Sequence, residues 1–288
     1  MIKLLLPTAI FLMMVSIGTS FRTEEMWRNQ KLMGWWGSLR LLLVVFVLPP
    51  VLALALARLL PLSLAETGGL FLIAVAPGAP LLTRNVSKKG FDAQLAAVYQ
   101  VWVAVLTPVM IPLLVLVVGK LYDQDVWIPQ AVLLQQVAQK QFLPLILGMV
   151  LMYFAPELAT KIRPTLNTIG NVVLYGFIAL MLFKMRSDLA HITPWVIIAT
   201  LVLAIGSMAF VPWVMRTEKA RNRTLSICNA NRHVGLALLL SGHYLHSKNS
   251  LPTVACYALI VPLVLWLYGK RFGSISSLNA PATNSPIL

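Results

Sequence analysis

Arg232 and His233 stand side by side inside an otherwise apolar run, with Asn229 and Asn231 just before them. A guanidinium, an imidazole and two amides within five residues form a donor set for a carboxylate or sulfonate, because the planar guanidinium can fork onto two oxygens. A charge at mid-bilayer costs ~2.5–3.5 kcal/mol on insertion scales, so such a residue faces a cavity or a partner. No acid lies nearby in the sequence to pair with Arg232. Three readings are open. Arg232 grips an anionic ligand, or it is a fixed cation bonded to backbone carbonyls freed by a helix break, or it snorkels to the cytoplasmic face. It lies about eight residues into its segment, roughly 12 Å at helical rise, which strains the snorkelling reading. His233 reads either as a proton carrier or as a neutral ring bonded to backbone.

A second irregular stretch lies earlier, in GLFLIAVAPGAPLLTRN from Gly69 to Asn85. Pro77, Gly78, Ala79 and Pro80 break an apolar helix in its middle, and Thr83 and Arg84 follow. Unwound backbone at membrane depth survives only where it lines a cavity or is buried in protein. The N-terminal ends of the half-helices so created carry partial positive charge and suit an anion. Two broken spans in corresponding halves point to the binding site of a secondary transporter. Arg84 has a plainer reading beside Lys88 and Lys89, as a cytoplasmic loop cation. Cys228 and Cys256 lie in apolar segments without disulfide or metal-type spacing. Pro49-Pro50, Pro108, Pro112, Pro144, Pro194, Pro212 and Pro262 read as kinks or helix ends without specific chemistry. The sequence has no glycine-rich phosphate loop, paired catalytic carboxylates or Ser/His/Asp set, so no enzyme, cofactor or metal site is expected.

The elements that would position these residues are membrane helices. The chain is 59% hydrophobic and 11% charged, with a mean hydropathy of +0.82, against about 25% charged for a soluble domain. Nine segments are long enough to cross a bilayer: 4–20, 39–60, 67–85, 94–119, 129–154, 165–184, 193–215, 224–245 and 251–269. The fifth starts wet, with Gln135, Gln136, Gln139, Lys140 and Gln141. Residues 1–20 also resemble a signal peptide. The net charge of +14 reflects basic loops on one side of a membrane and not nucleic-acid binding. Fifteen Lys and Arg fall in one set of loops and six in the other, which places the N-terminus outside and the C-terminus in the cytoplasm of a plasma (inner) membrane. All nine acids fall in or beside loops, leaving His233 as the one candidate for an intramembrane proton relay.

The segments APGAPLLTRNVSKKG (Ala76–Gly90) and RTLSICNANRHVGLALLL (Arg223–Leu240), with Thr107-Pro108, are similar to the motifs of the bile acid:sodium symporter family. The resemblance covers nearly the whole chain. It implies an all-α polytopic fold of about nine transmembrane helices, with inverted repeats and two crossed discontinuous helices. It implies one transmembrane domain over 1–272 and a disordered cytoplasmic tail at 273–288. A panel from segments one, five and six would rock against a core from segments two to four and seven to nine. The departures are specific. The family's sodium-ligating Glu falls on Cys228, its Gln-Asn pair on Arg232-His233, and its Ser-Asn pair on Leu82-Thr83. Ala93 to Leu106 contains no Ser or Thr, although hard cations need several oxygen ligands. The expectation is a sodium-independent carrier of a small organic anion in a lipid bilayer. Its binding site would comprise Arg232, Asn231, Asn229, Thr83, His233 and Arg84. The alternatives are a transporter-derived protein that binds without transport, and an ordinary sodium symporter.

Overall fold

The computed structural model describes residues 2–21, 35–79, 82–122, 135, 138–184, 186–187, 192–244 and 250–273. Pro80, the tail beyond Gly273 and the side chain of Arg84 lie outside what is described. Every regular element among the described residues is helical. In chain order these are α1 (Ile2–Gly18), α2 (Trp35–Leu59), α3 (Leu64–Val75), α4 (Leu82–Lys88) and α5 (Ala93–Tyr122). Then follow α6 (Ala138–Phe154), α7 (Pro156–Lys184), α8 (Pro194–Met215), α9 (Lys219–Ala230), α10 (Val234–Tyr244) and α11 (Ser250–Phe272). Five of them, α2, α5, α7, α8 and α11, are long and apolar enough to cross a membrane. The molecule is a polytopic, all-helical membrane protein.

The remaining helices are shorter for local reasons. α3 has 12 residues, about 18 Å at helical rise, against a hydrocarbon core of about 30 Å. It starts at a reciprocal cap: the Ser63 side chain accepts the Glu66 N–H, and the Glu66 carboxylate accepts the Ser63 N–H at 2.7 Å. The other Glu66 oxygen accepts the Thr193 hydroxyl at 3.1 Å, which ties the start of α3 to the start of α8. α3 stops at Pro77-Gly78, where Gly78 takes φ 77°, a left-handed value that suits glycine. α9 stops at Ala230, and α10 begins at Val234 after three intervening residues.

Small residues set the closest helix approaches, as is usual where lipid supplies no hydrophobic drive between helices. α1 packs on α6 and α7. A Cβ on Gly18 would fall 2.8 Å from the Gly148 Cα, and one on Gly170 would fall 2.9 Å from Met13 Cγ. Gly69 on α3 faces the Ser250 carbonyl of α11 at a notional 2.5 Å. Residues Thr67 to Val75 of α3 are buried throughout, because α2, α8, α10 and α11 all pack against it.

Candidate functional site

The two interruptions meet. The Ala79 N–H donates to the Asn231 carbonyl at 3.0 Å, and the His233 N–H donates to the Ala76 carbonyl at 2.8 Å. Backbone that neither helix can use internally is thus satisfied across the pair of breaks. The Tyr257 hydroxyl caps the last carbonyl of α9, at Ala230, at 2.7 Å.

Arg232 lies at this junction and is 1% exposed. Its Nη1 donates to the carbonyls of Val45 at 3.0 Å and Ala74 at 3.3 Å, and its Nη2 donates to Asn229 Oδ1 at 3.1 Å. The sequence explains why those carbonyls are free. Residues Leu43–Val47 form a π-helical turn, in which the Leu48 N–H reaches back to the Leu43 carbonyl. In a helix the Val45 carbonyl would accept from residue 49 or 50, and both are prolines without an N–H. The Val44 carbonyl is left over in the same way, since Leu48 is committed and Pro49 has nothing to donate. It accepts Asn229 Nδ2 at 3.2 Å. The Ala74 carbonyl would look to Gly78, which lies past the end of α3.

Asn229 holds the cluster together. Its Nδ2 also donates to the Ser207 carbonyl at 2.7 Å, and its Oδ1 also accepts the Tyr99 hydroxyl at 3.5 Å. Nearby, Pro212 removes the normal donor to the Met208 carbonyl, which accepts the Ser226 hydroxyl at 2.9 Å. The expectation that Pro49-Pro50 and Pro212 carry no specific chemistry is therefore corrected: each frees a carbonyl that a polar side chain of α9 or the break then uses.

His233 caps α10. Its Nδ1 accepts the Leu236 N–H at 3.0 Å, so that nitrogen is unprotonated and the proton of the neutral ring sits on Nε2. Three buried N–H groups in consecutive residues then have no hydrogen-bond partner among the described residues: Asn231 Nδ2, Arg232 Nε and His233 Nε2. Buried donors are normally paired, and a set of three without an acceptor suits an anion. All three residues line a cavity of about 370 Å³ between the breaks, α7 and α11. Leu174, Tyr175 and Ile178 of α7 form one wall, and Ala258, Val261, Pro262 and Leu265 of α11 form another. Among the described residues no Asp or Glu lines it.

The structure thus brings Arg232, Asn229, Asn231 and His233 together. It places Thr83 elsewhere: its hydroxyl donates to Gln100 Oε1 at 2.8 Å, and Gln100 Nε2 donates to the Ala79 carbonyl at 3.3 Å. Thr83 braces the first break from outside the cavity. Arg84 is on α4, one residue further on. Pro77, Gly78 and Ala79 form the first break. Cys228 is fully buried, and its thiol belongs to the core cluster. Tyr99, Gln100 and Tyr257 were not marked by the sequence, where they read as ordinary members of apolar helices. The one available signal was that Gln100 is the lone amide within the run from Leu95 to Leu106.

Interrupted helices bonded at their breaks around a buried guanidinium, with five membrane-length helices among the described residues, define an integral multi-pass membrane protein of the transporter class. The chain belongs to the Sodium Bile acid symporter family, whose model matches residues 7–192, well over half of it. That is a family of transporters, not of enzymes. The second break lies beyond the matched residues. The chain is also similar to the probable sodium/metabolite cotransporter BASS3, chloroplastic, of Arabidopsis thaliana, at 24% identity over 248 residues. That alignment covers 82% of this chain and 57% of the relative.

Proposed function

We propose that this chain is a secondary carrier for a small organic anion, bound at the paired breaks by Arg232, Asn231 and His233. The observation that carries the reading is the run of three N–H groups with no partner among the described residues, beside a cavity that no described carboxylate lines. At about 370 Å³ the cavity is at the small end of the usual ligand range, roughly 300–1,000 Å³. That favours a metabolite-sized carboxylate or sulfonate over a steroid. In this reading nine segments cross the membrane, with α3/α4 and α9/α10 as the two discontinuous spans of an inverted repeat. α1, α6 and α7 form a panel, the other helices form the core, and the substrate sits between α7 and the breaks. The N-terminus is outside and the C-terminus cytoplasmic, as the loop charges require.

The same reading makes the carrier independent of sodium. The guanidinium of Arg232 already fills a position among three oxygens, those of Val45, Ala74 and Asn229. A sodium ion about 4 Å away would be repelled by about 4 kcal/mol at an effective dielectric of ~20, roughly a thousandfold in affinity. Arg232 then acts as a tethered cation that orders the crossing without an ion gradient. A second reading, sodium-coupled uptake, is favoured by the name of the plant relative, a probable sodium/metabolite cotransporter. Proteoliposome uptake of a panel of labelled organic anions separates the two. The expected result is accumulation or exchange unchanged when potassium or choline replaces sodium, and lost in Arg232→Ala. Uptake that rises steeply with sodium would sink the tethered-cation reading.

A further inference from the structure

We propose that Lys89 is a second anion-binding position at the far end of the same cavity, so that the preferred substrate is a dianion with two charges held apart by a short chain. The inference rests on the carrier reading above.

Lys89 and Asn85 line the cavity together with Asn231, Arg232 and His233. They are four residues apart, Asn85 in the last turn of α4 and Lys89 in the turn just past its end. Lys89 is not an ordinary loop lysine, because α11 is shaped to receive it. A Cβ on Gly269 would fall 3.2 Å from Lys89 Cδ and 3.3 Å from its Cγ. A Cβ on Gly273, one turn later, would fall against the Lys89 carbonyl. Two glycines thus leave a notch in which the backbone and stem of Lys89 lie, beside the cavity that Lys89 also lines.

The polar groups of the cavity therefore gather at two ends. At the breaks stand Arg232, Asn231 and His233; at the end of α4 stand Lys89 and Asn85. The wall between is apolar, from Leu174, Ile178, Val261 and Leu265. α4 has seven residues, so Lys89, just past its end, lies about 10 Å along the axis from Leu82 at its start. A monoanion satisfies one end and leaves an ammonium facing an apolar wall. A dicarboxylate of about six carbons, at ~1.5 Å per bond, satisfies both ends and lays its methylenes against the wall.

The test uses adipate and hexanoate, which share a six-carbon chain and differ by one carboxylate. Both are titrated against the purified full-length protein in lipid nanodiscs at fixed pH and ionic strength. The wild type is expected to bind adipate about tenfold more tightly than hexanoate, the effect of one partly desolvated charge pair. Lys89→Gln should abolish the difference and leave hexanoate affinity unchanged. Gly269→Val should do the same with the lysine still present, by pushing its stem out of the notch. Equal affinities in the wild type, or a Lys89→Gln variant that keeps the preference or loses both ligands alike, would overturn the proposal. So would absent adipate binding by a protein that still takes up another organic anion. Arg232→Ala keeps the two readings apart: loss of both ligands supports the shared site, whereas full hexanoate binding there would defeat the carrier reading itself.

Discussion

Asn229 makes four hydrogen bonds, to two backbone carbonyls, one guanidinium and one phenol. Asn229→Ala should therefore destabilise the protein by about 3 kcal/mol or more, since each buried group left unpaired costs about 1–3 kcal/mol. Thermal unfolding in detergent would measure this as a lowered midpoint. Arg232→Lys should behave differently. It keeps the charge and loses the fork that bonds Val45, Ala74 and Asn229, so a smaller fall in the unfolding midpoint is expected, with anion uptake between wild type and Arg232→Ala; uptake and midpoint equal to wild type would remove the fork from the mechanism. Arg232 was legible in the sequence because a charge among apolar residues has few explanations. Tyr99 and Tyr257 were not, because a tyrosine in an apolar helix looks the same whether its hydroxyl is bonded or not. Their partners lie 130 and 27 residues away, beyond the reach of any local pattern.

The breaks were the most legible elements. Pro77-Gly78 cannot continue a helix, and a polar cluster in an apolar run cannot sit quietly in lipid. Their mutual bonding required tertiary structure, as did the true place of Thr83, which follows the break closely in sequence yet turns to α5. Gly78 gives the sharpest test at this scale. Its φ is 77°, and a Cβ there would meet Val103 Cγ1 at 2.7 Å. Gly78→Ala should cost about 1–3 kcal/mol through backbone strain and overlap. Unfolding in detergent should show it, and a wild-type midpoint would mean that the turn is looser than its geometry. Thr83→Val removes only the bond to Gln100, so a loss of about 1 kcal/mol is expected in the same assay.

For the whole molecule, composition alone identified a membrane protein, and where the hydropathic segments fall on described residues the structure is mostly helical, with five helices long and apolar enough to cross a membrane. Charge asymmetry yields the orientation as a testable statement. Reporter fusions at Lys88 and Lys219 should read cytoplasmic and one at Lys248 external; the opposite pattern would overturn the span count. The grouping of helices was expected from the family resemblance alone and not from the residues, because Gly18, Gly148 and Gly170 are far apart in sequence and none is a motif. A Cβ on Gly148 would strike the Val15 carbonyl as well as Gly18. Gly148→Leu should thus prise α1 from α6, and a protease-accessibility assay should find α1 newly exposed while the crossing helices stay protected.

The acceptors around Arg232 and Asn229 are carbonyls, and a carbonyl belongs to every residue type. Substituting Val44 or Val45 with another aliphatic residue leaves the acceptor in place, so a saturation screen should score these contact positions as tolerant. The sensitive positions are displaced downstream, to Pro49 and Pro50, whose missing N–H groups keep the acceptors vacant. Replacing Pro49 with alanine supplies a donor that competes with the guanidinium while making the helix intrinsically better. In a pairwise screen the strongest non-additivity should then appear between Pro49 and Arg232, which communicate through the carbonyl of Val45. Covariation across this crossing would be recorded between residues that do not touch.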